Sequence, residues 1–110
     1  MAGTPKCIAQ FALGSSNQIF VTCPANRRWT LSFIHVQNTD TVQRTVTLNH
    51  VLSGDSLGIK NQIMPASALP NGDFAEFFGG GVLVTGDTVQ GFADVTGKVG
   101  VAIYGIEETV

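Results

Sequence analysis

Charged residues are scarce in this chain, at 13% of its 110 residues, where an ordinary soluble domain carries about 25%. Positive charge is thinner still, with six Lys and Arg spread along the whole sequence. Their densest point, Arg27-Arg28, is too small to track a phosphate backbone, so no nucleic-acid partner is expected. No apolar run approaches the roughly 20 residues of a bilayer-spanning helix, so no membrane role is expected either. The start, Met1-Ala2-Gly3-Thr4-Pro5, has no charged segment leading into an apolar block, and its glycine is third. Neither a secretory signal nor N-myristoylation is read there, and synthesis in a cytosol is expected.

The equipment for chemistry is equally thin. His35 and His50 are the only histidines. A hairpin centred on Asp40 would set them about five residues apart along neighbouring strands, too far to share a metal. Gly54-Asp55-Ser56-Leu57 spells the serine block of GDSL esterases, but that nucleophile needs a histidine later in the chain, and none follows His50. Asp73 and Asp87 fall at turns, while Glu76 and Asp94 fall mid-strand at solvent-facing positions. Gly79-Gly80-Gly81 lacks a following Lys-Ser/Thr and so is no phosphate loop; it reads as a bulge or a close backbone approach. No catalytic residue, cofactor site or metal set is assigned.

What the chain does have is β pattern. Pro, Gly and Asn recur too often for a helix, and β-branched residues fill the segments between them. About eight short antiparallel strands are predicted, beginning with Cys7–Leu13 and Gln18–Cys23. A hairpin about Ser15 would place Phe11, Ala9, Ile19 and Val21 on one face and set Cys7 opposite Cys23. Two reduced thiols are the favoured reading of that pair, with a cross-strand disulfide geometrically open. Trp29–Gln37 has no face that is polar throughout, which predicts an interior strand covered on both sides for part of its length. Val42–Leu52 alternates, with Val46, Leu48, His50 and Leu52 against Thr45, Thr47 and Asn49. An irregular stretch over 53–72 follows, with a short strand at Gln62–Met64. Asp73–Phe78, Val82–Val84, Thr88–Val95 and Val99–Glu107 complete the set, with Thr96-Gly97-Lys98 as the last hairpin turn. The fold expected is all-β: one β-sandwich or jelly-roll-like domain over 1–110, with residues 1–6 as an N-terminal arm, free or held by a partner.

Nine aromatic residues, seven Phe with Trp29 and Tyr104, exceed what one inner face per sheet should hide. Phe77 and Phe78 are adjacent in a strand and must point to opposite faces. Surplus rings on a weakly charged surface predict a protein interface. The residues expected to meet a partner are Arg27, Arg28 and Trp29 at a loop edge, Leu57, Ile59 and Met64 in the 53–70 stretch, and Phe77 or Phe78 with Tyr104.

An ordered set of segments carries a resemblance. It runs Val21-Thr22-Cys23-Pro24-Ala25-Asn26, Trp29 to Asn38, Thr45-Val46-Thr47-Leu48, Gly80 to Val89, and Val101 to Glu108. Over about Ile19 to Glu107 the chain resembles small β-sandwich virion proteins of tailed bacteriophages, capsid decoration (cement) proteins above all. The resemblance implies a homotrimer on the capsid surface of the virion, bridging subunits of the major capsid protein. The same pattern occurs in small tail and baseplate proteins, which implies as alternative partners a tail protein or a host glycan.

Overall fold

In the computed structural model, which describes residues 3–110 except 57, 59, 60 and 80, the chain is a sandwich of two antiparallel sheets. Nine strands lie among the described residues: β1 (Thr4–Ala12), β2 (Gln18–Thr22), β3 (Arg27–Asn38), β4 (Arg44–Val51), β5 (Gln62–Leu69), β6 (Phe74–Phe78), β7 (Val82–Val84), β8 (Thr88–Ala93) and β9 (Val99–Thr109). The larger sheet runs β1-β9-β3-β6, with β7 paired to β3 beyond β6; the smaller runs β2-β8-β4-β5. Among the described residues no helix is long and apolar enough to cross a membrane.

The core lies between the sheets. Leu31, Ile34 and Val36 of β3 and Val101 and Ile103 of β9 meet Val46 and Leu48 of β4, Met64 of β5 and Val89 of β8, all buried. Burial along β3 alternates as Trp29 and Leu31, then skips a step to Ile34, Val36 and Asn38. The register against β9 shifts between Leu31 and Phe33, so Ser32 and Phe33 both turn away from the core. That bulge explains why neither face of the strand reads as polar: the inward parity changes halfway along. The glycine loop lies against the bulge, with Gly79 N–H donating to Ser32 O and Leu31 N–H to Gly81 O, both at 2.9 Å. Gly79 and Gly81 have φ of 86° and 96°, conformations that side chains resist.

Three predicted hairpins are corners instead. β1 pairs with β9 and β2 with β8, so the turn about Ser15 carries the chain from one sheet to the other. Phe11 stacks on Phe20 across the sandwich at 4.2 Å, and Ile19, expected to face Phe11, is 61% exposed. Cys7 is therefore not opposite Cys23: it is exposed beside Tyr104, while Cys23 is buried, and both are free thiols. The turn about Asp40 is plugged by buried Asn38, whose Nδ2 donates to Val42 O, Leu69 O and Pro70 O at 2.9 to 3.1 Å. It places β3 and β4, and with them His35 and His50, in different sheets. The turn at Gly97 is the third corner, joining β8 to β9.

Smaller corrections follow from the same pairings. β5 extends through Leu69 because it pairs with β4 from Asn49 back to Arg44, where a short strand inside a loop was expected. β4 ends at Val51, which leaves Leu52 exposed. Thr4, Pro5 and Lys6 of the expected arm already pair with Glu107, Ile106 and Gly105.

Gly105 tests the closeness of β9 to β3. A Cβ there would lie 2.4 Å from Thr30 O and 3.2 Å from Leu31 Cα, inside contact distance of backbone that cannot swing away. Gly105→Ala is expected to lower stability by about 1–3 kcal/mol. The readout is a lower urea midpoint at unchanged slope; an unchanged midpoint contradicts this strand spacing.

Candidate assembly interface

The outer face of the larger sheet follows from the register. Across β1, β9, β3 and β6, one row is Cys7, Tyr104, Phe33 and Phe78; the next is Gln10, Ala102, His35 and Glu76; the next is Ala12, Gly100, Gln37 and Phe74. On the other side of the bulge come Pro5, Ile106, Thr30 and Val82, then Glu108, Arg28 and Val84. Five of the nine large hydrophobic side chains exposed among the described residues, Phe74, Phe78, Val82, Val84 and Ile106, stand on this single surface. The other four are dispersed over edge strand β2, two loops and the C-terminus, so this is the one place where exposed apolar groups adjoin.

Ring contacts make the patch continuous. Phe33 lies 5.3 Å from Phe78 and 6.0 Å from Tyr104, and His35 lies 5.4 Å from Phe74. Phe78 is 82% exposed, and covering it would stabilise a complex by about 1.5–3 kcal/mol. Exposed ion pairs are worth about 0–1 kcal/mol, so the rings set the character of this face. Within the plane Arg28 Nη2 lies 2.9 Å from Glu108 Oε2, and His35 Nδ1 lies 3.0 Å from Glu76 Oε2. Between the rings, small residues leave a shallow hollow of about 270 Å³ over Gly100 and Ala102, edged by Gln10, His35, Gln37 and Thr39.

The outer face of the smaller sheet differs. Thr47, Asn49 and Gln90 form it, with Gly58, Gln62, Ala66 and Phe92 around a second hollow of about 340 Å³. Thr47 and Asn49 are buried there.

Of the residues expected to meet a partner, Arg28, Phe78 and Tyr104 lie on the aromatic face. Phe78, not Phe77, points outward; Phe77 packs on the core. Trp29 and Met64 are buried at 5% and 4% exposure and belong to the core, so neither is a surface contact. The bulge is the reason for Trp29, since it reverses the parity that the strand would otherwise keep; Met64 is held inward by pairing with Leu48. Leu57 and Ile59 lie outside the described residues. Arg27 sits at the end of the sandwich, 3.8 Å from Glu107 Oε1. Phe33, Phe74, Val82, Val84 and His35 were missed. The signal for Phe74 was present: Glu76 shares its parity with Phe74 and Phe78, and a carboxylate marks the solvent side of a strand.

The chemical candidates fall apart in space. Ser56 is exposed, its N–H bound to Asp55 Oδ1 at 3.0 Å. His50 Nε2 is buried 3.7 Å from Asp87 Oδ2, too far for a hydrogen bond, while Asp87 accepts from the N–H groups of Ser53 and Val84. Asp94 pairs with Arg44 at 3.7 Å. Among the described residues no three of His, Cys, Asp and Glu converge as a metal site.

At the rim, Trp29 Nε1 donates to Glu107 Oε2 at 2.7 Å, and Lys6 Nζ lies 3.3 Å from the same oxygen. The indole hydrogen bond, ahead of the Lys6 ammonium, holds the Glu107 carboxyl below its ordinary 4.5. A carboxyl whose pKa falls on folding adds stability above its ordinary value and loses it as pH drops through the folded value. Glu107→Gln is therefore expected to destabilise at pH 7, with the gap to the parent closing as pH falls below about 4.5. Urea midpoints of both proteins between pH 7 and 3 check this; a gap that stays constant removes the ionic role of Glu107.

No protein-family model and no curated protein sequence matches the chain. Among solved structures it is similar to a chain from Bacillus endospore appendages, described as forming a novel family of disulfide-linked pili. The TM-score is 0.54 at 16% identity, over 98% of this chain and 87% of that one. At that identity the likeness is one of fold alone.

Proposed function

We propose that this protein is a non-enzymatic structural subunit of a virion, a capsid decoration protein of the tailed-phage kind, working as a homo-oligomer seated on the major capsid protein. The observation that carries the reading is the aromatic face of the larger sheet. A soluble domain that worked alone would gain nothing from rings and aliphatic groups gathered on one outer surface, and water penalises them. Covered by protein, the same groups become the adhesive part of an assembly, with the Arg28–Glu108 ion pair already closed within the face. Many copies on a repeating lattice add weak contacts into firm attachment without any one tight site. Support for assembly as the role of this fold comes from the pilus subunit that shares it. The trimeric state and the capsid position come from the resemblance in sequence pattern.

A second reading is a tail or baseplate module that binds a tail protein or a host glycan. The hollow edged by Gln10 and Gln37, with Tyr104 in the adjoining row, offers amide groups beside an aromatic ring, as sugar sites do. Burial of Trp29 removes the other ring that would have served that purpose.

Pelleting with empty heads of a tailed phage separates the two. The purified protein is expected to sediment with heads to saturation and to raise the temperature at which they rupture, and to give no hits on a glycan array. Glycan hits with no sedimentation transfer the assignment to the tail module; neither result with any head type removes the virion role.

A further inference from the structure

We infer that Asn71-Gly72, in the turn from β5 to β6, is a site of spontaneous covalent modification: the glycine nitrogen closes on the asparagine side chain, and water opens the ring to aspartate or isoaspartate. The inference goes beyond the virion reading and does not depend on it.

The sequence singles the pair out. Asn17, Asn26, Asn38, Asn49 and Asn61 precede Gln, Arg, Thr, His and Gln, and only Asn71 precedes a glycine. A following side chain crowds the backbone nitrogen that must attack, and glycine has none. The fold leaves the pair open as well. Asn71 and Gly72 are exposed, and a Cβ at Gly72 would meet nothing within 4 Å. Among the described residues no group accepts from Gly72 N–H, and the Asn71 side chain has no hydrogen-bond partner. Gly72 has a φ of 70° and Asn71 a negative one, the signs of a type II turn, closed by Asp73 N–H on Pro70 O at 3.1 Å. Attack requires the peptide unit between the two residues to turn until the Gly72 nitrogen meets Asn71 Cγ. Straining that one hydrogen bond slows the reaction by no more than about ten-fold.

The step balances with water as its only co-reactant. The Gly72 nitrogen gives up its proton and bonds to Asn71 Cγ, while the Cγ–Nδ2 bond breaks and ammonia leaves. The cyclic imide then takes up one water. Cleavage between Cγ and the nitrogen gives aspartate on an unchanged main chain. Cleavage between the Asn71 carbonyl carbon and the nitrogen gives isoaspartate, whose main chain runs on through Cβ and Cγ. Either product carries one more negative charge than the net −2 of the parent.

Buried Asn38 makes this turn consequential. Its N–H donates to Asp73 O at 2.9 Å, and its Nδ2 donates to Leu69 O and Pro70 O at 3.0 and 3.1 Å. Both ends of the turn are therefore pinned to one residue, and isoaspartate inserts an extra main-chain carbon between the pins. β6 begins at Phe74, so the strain enters the strand that carries Phe74 and Phe78 on the aromatic face.

The folded protein, incubated at mildly alkaline pH and body temperature, is expected to turn acid at Asn71 alone, at a rate within about ten-fold of the free peptide 69–74. Peptide mapping by mass spectrometry reads the site, and methylation by an isoaspartyl methyltransferase reads the isomer. Asn71→Gln is expected to stop both signals, because the longer side chain closes a larger ring slowly. Separated by ion exchange, the isoaspartyl form is expected to unfold at a lower urea midpoint, while Asn71→Asp, which adds the charge without the extra carbon, keeps the midpoint of the parent. An Asn71 amide still intact after the peptide has fully converted, equal conversion at the other asparagines, or aspartate without isoaspartate overturns the site. An isoaspartyl form no less stable than Asn71→Asp overturns its coupling to Asn38. Sedimentation with heads is untouched by any of these results, so the virion role and this inference fail separately.

Discussion

Between Leu31 and Ile34 the central strand of the larger sheet turns two successive residues, Ser32 and Phe33, to the same side. Everything around the strand depends on that step. On its N-terminal side Trp29 and Leu31 point inward; beyond it Ile34, Val36 and Asn38 do. An unbroken strand carrying Trp29 and Leu31 inward would also carry Phe33 and His35 inward, and would send Ile34 and Val36 to solvent. The bulge thus fills the core with aliphatic groups and sends the rings out. The glycine loop between β6 and β7 is its structural partner, because only a chain free to take positive φ at Gly79 and Gly81 can bond to both sides of the irregularity. One local device therefore sets both the core and the surface.

Electrostatics on that surface follow from the same geometry. Because the register brings Glu76 beside His35 and Glu108 beside Arg28, both carboxylates on the face have a partner in their own row. What remains for contact is apolar. At the rim, the Trp29 indole reaches out of the core to Glu107, which also draws Lys6 and Arg27, so the basic residues near the end of the sandwich serve its own closure. Partner recognition by a basic patch is thereby displaced in favour of recognition by rings and shape.

The class of fold was legible because alternation with period two, broken every several residues by Gly, Asn, Asp or Pro, has few other meanings. Pairing was not. The register about Ser15 that brought Phe11 opposite Ile19 used only the rule that inward groups share a side, and that rule is met as well by facing sheets as by neighbouring strands. Phe11 meets Phe20, not Ile19, across the core, because the register shift between Ile19 and Val21 turns Ile19 to solvent. Turn chemistry was equally neutral at Asp40 and Gly97, where a corner and a hairpin demand the same residues; what distinguishes the corner at Asp40 is Asn38, buried and donating both to nearby Val42 O and to the distant carbonyls of Leu69 and Pro70. The interface was half legible. A surplus of rings was countable, and Phe78 and Tyr104 were among the residues chosen, but parity in β3 could not be carried past a bulge that shows no signature in the residues themselves. Trp29 was lost to the core for that reason.

Sandwiches can also assemble through their edges, and here each edge is obstructed. β1 carries Pro5 and Lys6 and shifts register between Cys7 and Ala9. β2 has five residues and a shift of its own after Ile19. β5 contains Pro65, and the far side of β3 is lined by two short strands, β6 and β7, with glycine between them. Proline, bulges and short strands are the means by which sheets refuse further strands. With edge addition hindered on every side, the adhesive surface left to the molecule is the broad outer face of the larger sheet. Association through a face closes after a defined number of copies, where association through edges propagates without limit.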